Sequence, residues 1–226
     1  MSPNIPTRPA TLTAMLLLCL TFQSPLMAEP KPEDIKLNPY QEAFVAYKSG
    51  KLDDALARTN DLLAKPPNDA ALLLLKGRIL IKQGKYKESQ DSLFQANGLN
   101  PELHEVHYYL GESAFLQAHW GEAVQYYRVY LSKAPGQREA LLKIIYCYLA
   151  AGDLANSSKL ITGLDPADDQ SPAYYFARAA LAFATDKPAE YQEALQQART
   201  IYGNDVYGEY EPDLLFTLKK ISVVKK

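Results

Sequence analysis

The chain has 226 residues, with 24 Lys and Arg against 26 Asp and Glu, and 47% of its residues are hydrophobic. That length supports one sizeable core or a short array of repeats, and the near-zero balance of charge excludes a general nucleic-acid binder, which needs a basic excess to neutralise phosphates. Two cysteines, Cys19 and Cys147, exclude a disulfide-dense scaffold or a cysteine-rich zinc module.

Residues 1–28 read as a secretory signal peptide. Arg8 is their only charged side chain, Leu12 to Phe22 is an apolar run too short to span a bilayer, Pro25 interrupts it, and Ala28 supplies a small residue for cleavage. Leu18 precedes Cys19 where a lipoprotein signal has a small residue, so Cys19 reads as signal core rather than a lipidation site. The expected product is exported, periplasmic or secreted, with no transmembrane span after processing. Residues 29–35 are polar and proline-rich and read as an extended leader.

From residue 36 a 34-residue period dominates. Pro67, Pro101 and Pro135 are spaced by it, as are Gly50 and Gly84, and Gly77 and Gly111. The same interval aligns Ala55, Ser89, Ala123 and Ser157, and separately Leu52, Tyr86, Trp120 and Leu154. Within a unit the apolar spacing is helical on both sides of a turn. Leu73, Gly77 and Leu80 share one helix face, Gly84-Lys85 turns the chain, and Tyr86, Ser89, Leu93 and Ala96 mark a second helix. Asn100-Pro101 reads as the N-cap and first residue of the next helix. Small residues at the crossing of each pair let the backbones approach.

Five units follow on this spacing: 36–69, 70–103, 104–137, 138–170 and 171–203. The last has a turn around Asp186-Lys187-Pro188 that looks about two residues longer than the others. Residues 204–226 comprise a tyrosine-rich link, a helix expected to start at Glu211-Pro212-Asp213, and a basic tail.

The pattern resembles the tetratricopeptide (TPR) repeat family. Gly77, Tyr86, Ser89 and Pro101 match its small, aromatic, small and proline signature, and Gly111, Trp120, Ala123, Tyr127 and Pro135 match it again. The resemblance implies an all-α, right-handed α-solenoid of about five antiparallel helix pairs, with a capping helix over the exposed face of the last repeat. It also implies that the first helices line a concave groove. Tyr40, Phe44, Tyr47, Arg78, Lys82, Tyr108, Glu112, Phe115 and Tyr146 are expected to face it. Rings on a rigid concave wall suit capture of a peptide or helix, with Arg78, Lys82 and Glu112 setting its register. Tyr40 and Phe44 stand where family members that clamp C-terminal carboxylates carry Lys and Asn, so that activity is not expected.

The expected function is a non-catalytic protein-binding scaffold of the bacterial cell envelope, with a protein or peptide partner, no nucleic acid and no cofactor. The alternative is glycan or peptidoglycan binding, since sugars stack on aromatic platforms. Chemistry-bearing motifs are sparse. His104 and His107 are three apart, not the four a zinc-protease helix needs, and Cys147 has no Ser, His or Asp motif around it. No enzyme is expected.

Overall fold

The computed structural model describes residues 37–65, 69–164 and 171–224. The expected signal peptide and leader, and Pro67, lie outside these residues. The described chain folds into ten helices: α1 (Pro39–Lys48), α2 (Leu52–Leu63), α3 (Ala70–Lys82), α4 (Tyr86–Leu99), α5 (Glu105–Leu116), α6 (Trp120–Lys133), α7 (Arg138–Ala150), α8 (Leu154–Thr162), α9 (Ala173–Ala184) and α10 (Pro188–Val224). None is long and apolar enough to cross a membrane.

The repeat is written into the backbone more regularly than into the side chains. Residues with positive φ end the first helix of every pair, at Gly50, Gly84, Ala118, Gly152 and Asp186, each 34 positions after the last. At each of them the following amide donates to the carbonyl five residues back: Lys51 to Ala46, Lys85 to Leu80, His119 to Ala114, Asp153 to Tyr148 and Lys187 to Ala182, at 2.8–2.9 Å. This is a left-handed C-terminal cap, and it turns the chain directly into the second helix. The fifth turn therefore has the same length and register as the other four, not the longer one expected at Asp186-Lys187-Pro188. Proline at 188 sits in the first turn of α10, where it lacks nothing the helix needs. Ala118 holds φ at 62°, a conformation that strains any residue with a Cβ. Ala118→Gly is expected to raise stability by about 0.5–1 kcal/mol, and a thermal or urea midpoint that stays level or falls would argue against strain at this turn.

Pair packing follows the small-residue logic. A Cβ added at Gly77 would lie 2.7 Å from the Leu93 side chain, and one at Gly111 would lie 2.7 Å from the Tyr127 ring. Leu93 and Tyr127 are fully buried there. The Ser89 hydroxyl, also buried, donates to the Gly77 carbonyl at 2.9 Å across the same crossing. A buried hydroxyl with its bond made costs little, whereas an unpaired one would cost about 1–3 kcal/mol.

Helix starts vary more. Asn38 closes a capping box with Gln41, with Pro39 in the first position of α1. Asn100-Pro101 does not start α5: Asn100 ends α4, its side chain accepts from the Glu102 amide at 3.1 Å, and the helix begins at Glu105. Three-residue and four-residue turns can both place a proline, so the Asn-Pro pair alone did not fix the boundary.

First helices touch in sequence, α1 with α3, α3 with α5, α5 with α7 and α7 with α9. Among the described residues α2, α4, α6 and α8 do not touch one another. Helices that are close on one side of a stack and apart on the other make the near side concave, so α1, α3, α5, α7 and α9 form the inner wall.

The largest departure from expectation is at the C-terminus. α10 is kinked at Gly203, where φ is 80° and ψ 169°, into arms of residues 188–202 and 204–224. The first arm pairs with α9. The second turns back and packs on α7 as well as α9, with Phe216 reaching Phe115 of α5. It covers the last repeat, as a cap is expected to, but does so from the groove side, over α9 and α7. Helix also runs through residues 204–210, and Pro212 sits inside the arm rather than at its start. An interior proline removes one backbone bond and costs about 3 kcal/mol. Ring packing immediately before it offsets that: Tyr207 and Tyr210 lie 5.1 and 5.4 Å from Phe176, and the Tyr210 hydroxyl donates to Glu139 at 2.6 Å.

Candidate binding groove

The inner wall divides into two halves of different character. In the C-terminal half, between α5 and α9, the groove is filled. Leu214 and Ile221 of the returning arm are buried, Phe216 lies 5.2 Å from Phe115, and Tyr207 and Tyr210 cover Phe176. Lys143, on α7, sits at the centre. Its ammonium is 2.8 Å from Glu112 and 2.9 Å from Asp213, and 4.5 Å from the centre of the Phe115 ring. Burial by itself lowers this lysine's pKa, but the two carboxylates outweigh it and the net direction is upward. Glu112 also accepts from the Tyr127 hydroxyl.

Three residues expected to meet a ligand are thereby assigned otherwise. Phe115 and Tyr146 are both 0% exposed, so neither can touch a ligand with the arm in place. Glu112 is committed to Lys143 and Tyr127, which makes it part of the core rather than a source of register. The Tyr146 hydroxyl is buried without a hydrogen-bond partner among the described residues. All three stand on α5 and α7, and the repeat period carries no information about what covers them.

Among the described residues nothing covers the N-terminal half, from α1 to the near face of α5. Tyr40 is exposed, Phe44 and Arg78 are half-buried, and Lys82 is exposed. Tyr47 is only 6% exposed and acts as the floor. The Tyr40 and Phe44 rings are nearly parallel, 7° apart with centres separated by 6.5 Å, and Phe44 is 6.1 Å from Tyr47. The Arg78 guanidinium stands 5.5 Å from the Phe44 ring, 4.9 Å from Tyr47 and 4.9 Å from Tyr109. Lys82 lies 4.4 Å from Tyr47. Cation–π contacts of this kind are worth about 0.5–2 kcal/mol each, and they hold a long side chain in one place.

Tyr109 was missed by the sequence reading, which took its neighbour Tyr108. Counting back three from Glu112 rather than four finds it. Tyr108 is turned towards Tyr127 and Tyr130, 5.7 and 5.4 Å away, and burial drives its hydroxyl pKa well above the usual tyrosine range. A cleft of about 190 Å³ beside it is lined by Glu105, Tyr109, Tyr130 and Glu139.

Elsewhere the chemistry is quiet. Cys147 is 0% exposed, and burial pushes its thiol up to about 12, far from a nucleophile's range. His107 is lowered, first by burial and then by His104 beside it. No cluster of three His, Cys, Asp or Glu side chains able to hold a metal exists among the described residues. His119 has Glu122 as a neighbour at 3.6 Å.

Comparison with known families agrees with the repeat geometry. Tetratricopeptide repeat profiles match residues 40–96 and 74–138, and a further one matches 114–181, together spanning more than half of the sequence. The chain belongs to the tetratricopeptide repeat family. No curated protein sequence matches it significantly. Among solved structures it is similar to a TPR protein from Parabacteroides merdae, at 16% identity over 81% of this chain and 70% of that one, with a TM-score of 0.62. It is similar as well to the thermophilic TPR protein TTC0263 of Thermus thermophilus, at 18% identity over 79% of this chain and 98% of that one, TM-score 0.62. A third, YrrB, is described as a TPR protein with an unusual peptide-binding site; it shares 16% identity over 80% of this chain and 94% of its own, TM-score 0.54. At these identities the likeness shows the fold. TPR proteins are in general non-catalytic scaffolds, and the TPR fold supports, in general terms, a role in protein–protein interaction.

Proposed function

We propose that this TPR array captures a segment of a partner protein in the open N-terminal half of its inner groove. The observation that carries the reading is the contrast between the two halves. One is filled by the chain's own helix, whereas the other presents Tyr40, Phe44, Arg78 and Lys82 with nothing over them among the described residues. Large rings and a pre-positioned guanidinium are the side chains that dominate binding energy at protein interfaces, because they bury much area at small entropic cost. YrrB, of the same fold, is described as having a peptide-binding site.

Capture by purified Tyr40→Ala/Phe44→Ala protein in a pull-down is expected to lose the specific partners that the unaltered protein retains, with affinity for each reduced about tenfold or more. Unchanged capture by a folded variant would refute the groove assignment. The glycan alternative has one observation in its favour, the nearly parallel Tyr40 and Phe44 rings. The groups beside those rings are Arg78 and Lys82, whereas sugar platforms draw on carboxylates and amides, so we favour the protein partner.

The same reading places the chain in the cell envelope of a bacterium, as a scaffold in assembly of an envelope complex. Its support is the charge, apolar run and small-residue end of residues 1–28. Mass spectrometry of protein recovered from the producing cell is expected to find Glu29 at the N-terminus, and an intact N-terminus or a lipid on Cys19 would count against export in soluble form.

A further inference from the structure

The filled half of the groove shows what kind of segment this wall accepts. There the returning arm sets a carboxylate, Asp213, on Lys143 at 2.9 Å and, three residues on, a ring, Phe216, on Phe115 at 5.2 Å. Lys143 itself rests on the Phe115 ring. The occupant is thus a helix with an acid and an aromatic residue on one face, one turn apart, and its receptor is a cation seated on an aromatic ring.

The open half repeats the receptor without the occupant. Arg78 is seated among Phe44, Tyr47 and Tyr109, and Lys82 on Tyr47. Neither cation makes an ion pair with a carboxylate among the described residues, and the Arg78 Nε is buried without a hydrogen-bond partner. The acids nearby are otherwise placed. Glu42 pairs with Arg58 at 2.7 Å, Glu112 pairs with Lys143, and Glu105 lines the cleft beyond Tyr109. A guanidinium held by three rings has already lost its side-chain entropy and part of its hydration. A carboxylate arriving there makes a charge-assisted hydrogen bond at little further cost. The flanking Tyr40 and Phe44 rings then meet an apolar or aromatic side chain, as Phe115 meets Phe216.

We propose that the open half takes an acidic helical segment of a partner protein, with an Asp or Glu on Arg78 and Lys82 and an aromatic side chain one turn away on Tyr40 and Phe44. This rests on the groove reading above and adds the chemistry of the partner.

The probe is a displayed library of random twelve-residue peptides selected on the purified protein. Selected sequences are then synthesised with a fluorophore and titrated by anisotropy against the unaltered protein, Arg78→Gln, Lys82→Gln and Tyr40→Ala/Phe44→Ala. Circular dichroism melts of each variant establish that it is folded; Lys82→Gln alters an exposed side chain and serves as the safeguard if Arg78→Gln is unstable. The expected result is enrichment of Asp or Glu three or four positions from an aromatic residue. Affinity is expected to fall about tenfold or more in Arg78→Gln and severalfold in Lys82→Gln, and to weaken as salt rises from about 50 to about 300 mM. Peptides that carry no acid, or that bind both charge variants undiminished yet lose affinity for Tyr40→Ala/Phe44→Ala, overturn the acidic partner and leave the groove reading standing. No selected peptide, or peptides indifferent to all three variants, overturns both.

Discussion

Lys143→Met is expected to destabilise the protein by about 3–5 kcal/mol, lowering the thermal midpoint by roughly 10 °C or more. The lysine is 4% exposed and holds two carboxylates that come from distant parts of the chain, Glu112 on α5 and Asp213 on the returning arm. Methionine matches the stem and its contact with the Phe115 ring. What it removes is the charge between two acids: Glu112 is then left largely buried without its cation, whereas Asp213, whose side chain is 37% exposed, keeps part of its hydration. The loss is therefore larger than the worth of the ion pairs themselves. A second change separates these terms: Lys143→Met/Asp213→Leu deletes one of the stranded acids and is expected to recover part of the loss, since Glu112 keeps the Tyr127 hydroxyl. Single and double variants melting within about 1 kcal/mol of the unaltered protein would mean that the arm does not depend on this contact. The direction of the lysine's pKa sets its pH window. A raised folded value means that the stabilisation is fully present below the ordinary lysine pKa and is lost as pH climbs through the folded one, so the Lys143 contribution disappears only in strong alkali.

Phe176→Ala is the second large effect, also about 3–5 kcal/mol, because a fully buried ring leaves a cavity that its surroundings fill poorly. Its location makes the consequence regional. Phe176 lies under both Tyr207 and Tyr210, the two rings that hold the arm where Pro212 interrupts its backbone bonding. In a stacked array each unit is stabilised chiefly by its neighbours. Hydrogen exchange is therefore expected to lose protection across residues 204–224 and α9, while α1 to α4 exchange as before. A uniform loss along the whole array would show instead that the arm and the N-terminal repeats open as one cooperative unit.

Much of this architecture was legible from the sequence because it obeys local rules repeated at a fixed interval. Gly77 and Gly111 announced the close crossings, and the turn glycines announced the reversals. Where the residue type changed, at Ala118 and Asp186, the backbone kept the same left-handed cap; the cost of one strained residue is small beside a register shift of two helices. The helical step places Tyr40, Phe44 and Arg78 away from the small packing residues of their helices; that this face lines a groove was an expectation from the family resemblance. Two things were not legible. Residues 204–224 belong to no repeat, and Glu211-Pro212-Asp213 has the local chemistry of a helix start; only the distant contacts of Tyr207, Tyr210 and Asp213 decide that the helix begins earlier and folds inward. For the same reason no spacing rule distinguishes Phe44, which meets solvent, from Phe115, which meets Phe216.

The kink at Gly203 has one more implication. A segment joined to its receptor by a single bend is present at an effective concentration on the order of millimolar, whatever the concentration of the protein. Any free peptide aimed at the α5–α9 end of the wall competes with that permanent neighbour and forfeits affinity in proportion to how tightly the arm is seated. Among the described residues no segment lies over the α1–α3 end. On the proposed reading, one inner surface built from a single repeated unit offers two ends of unequal availability, and the division between them is set by the length of a single helix.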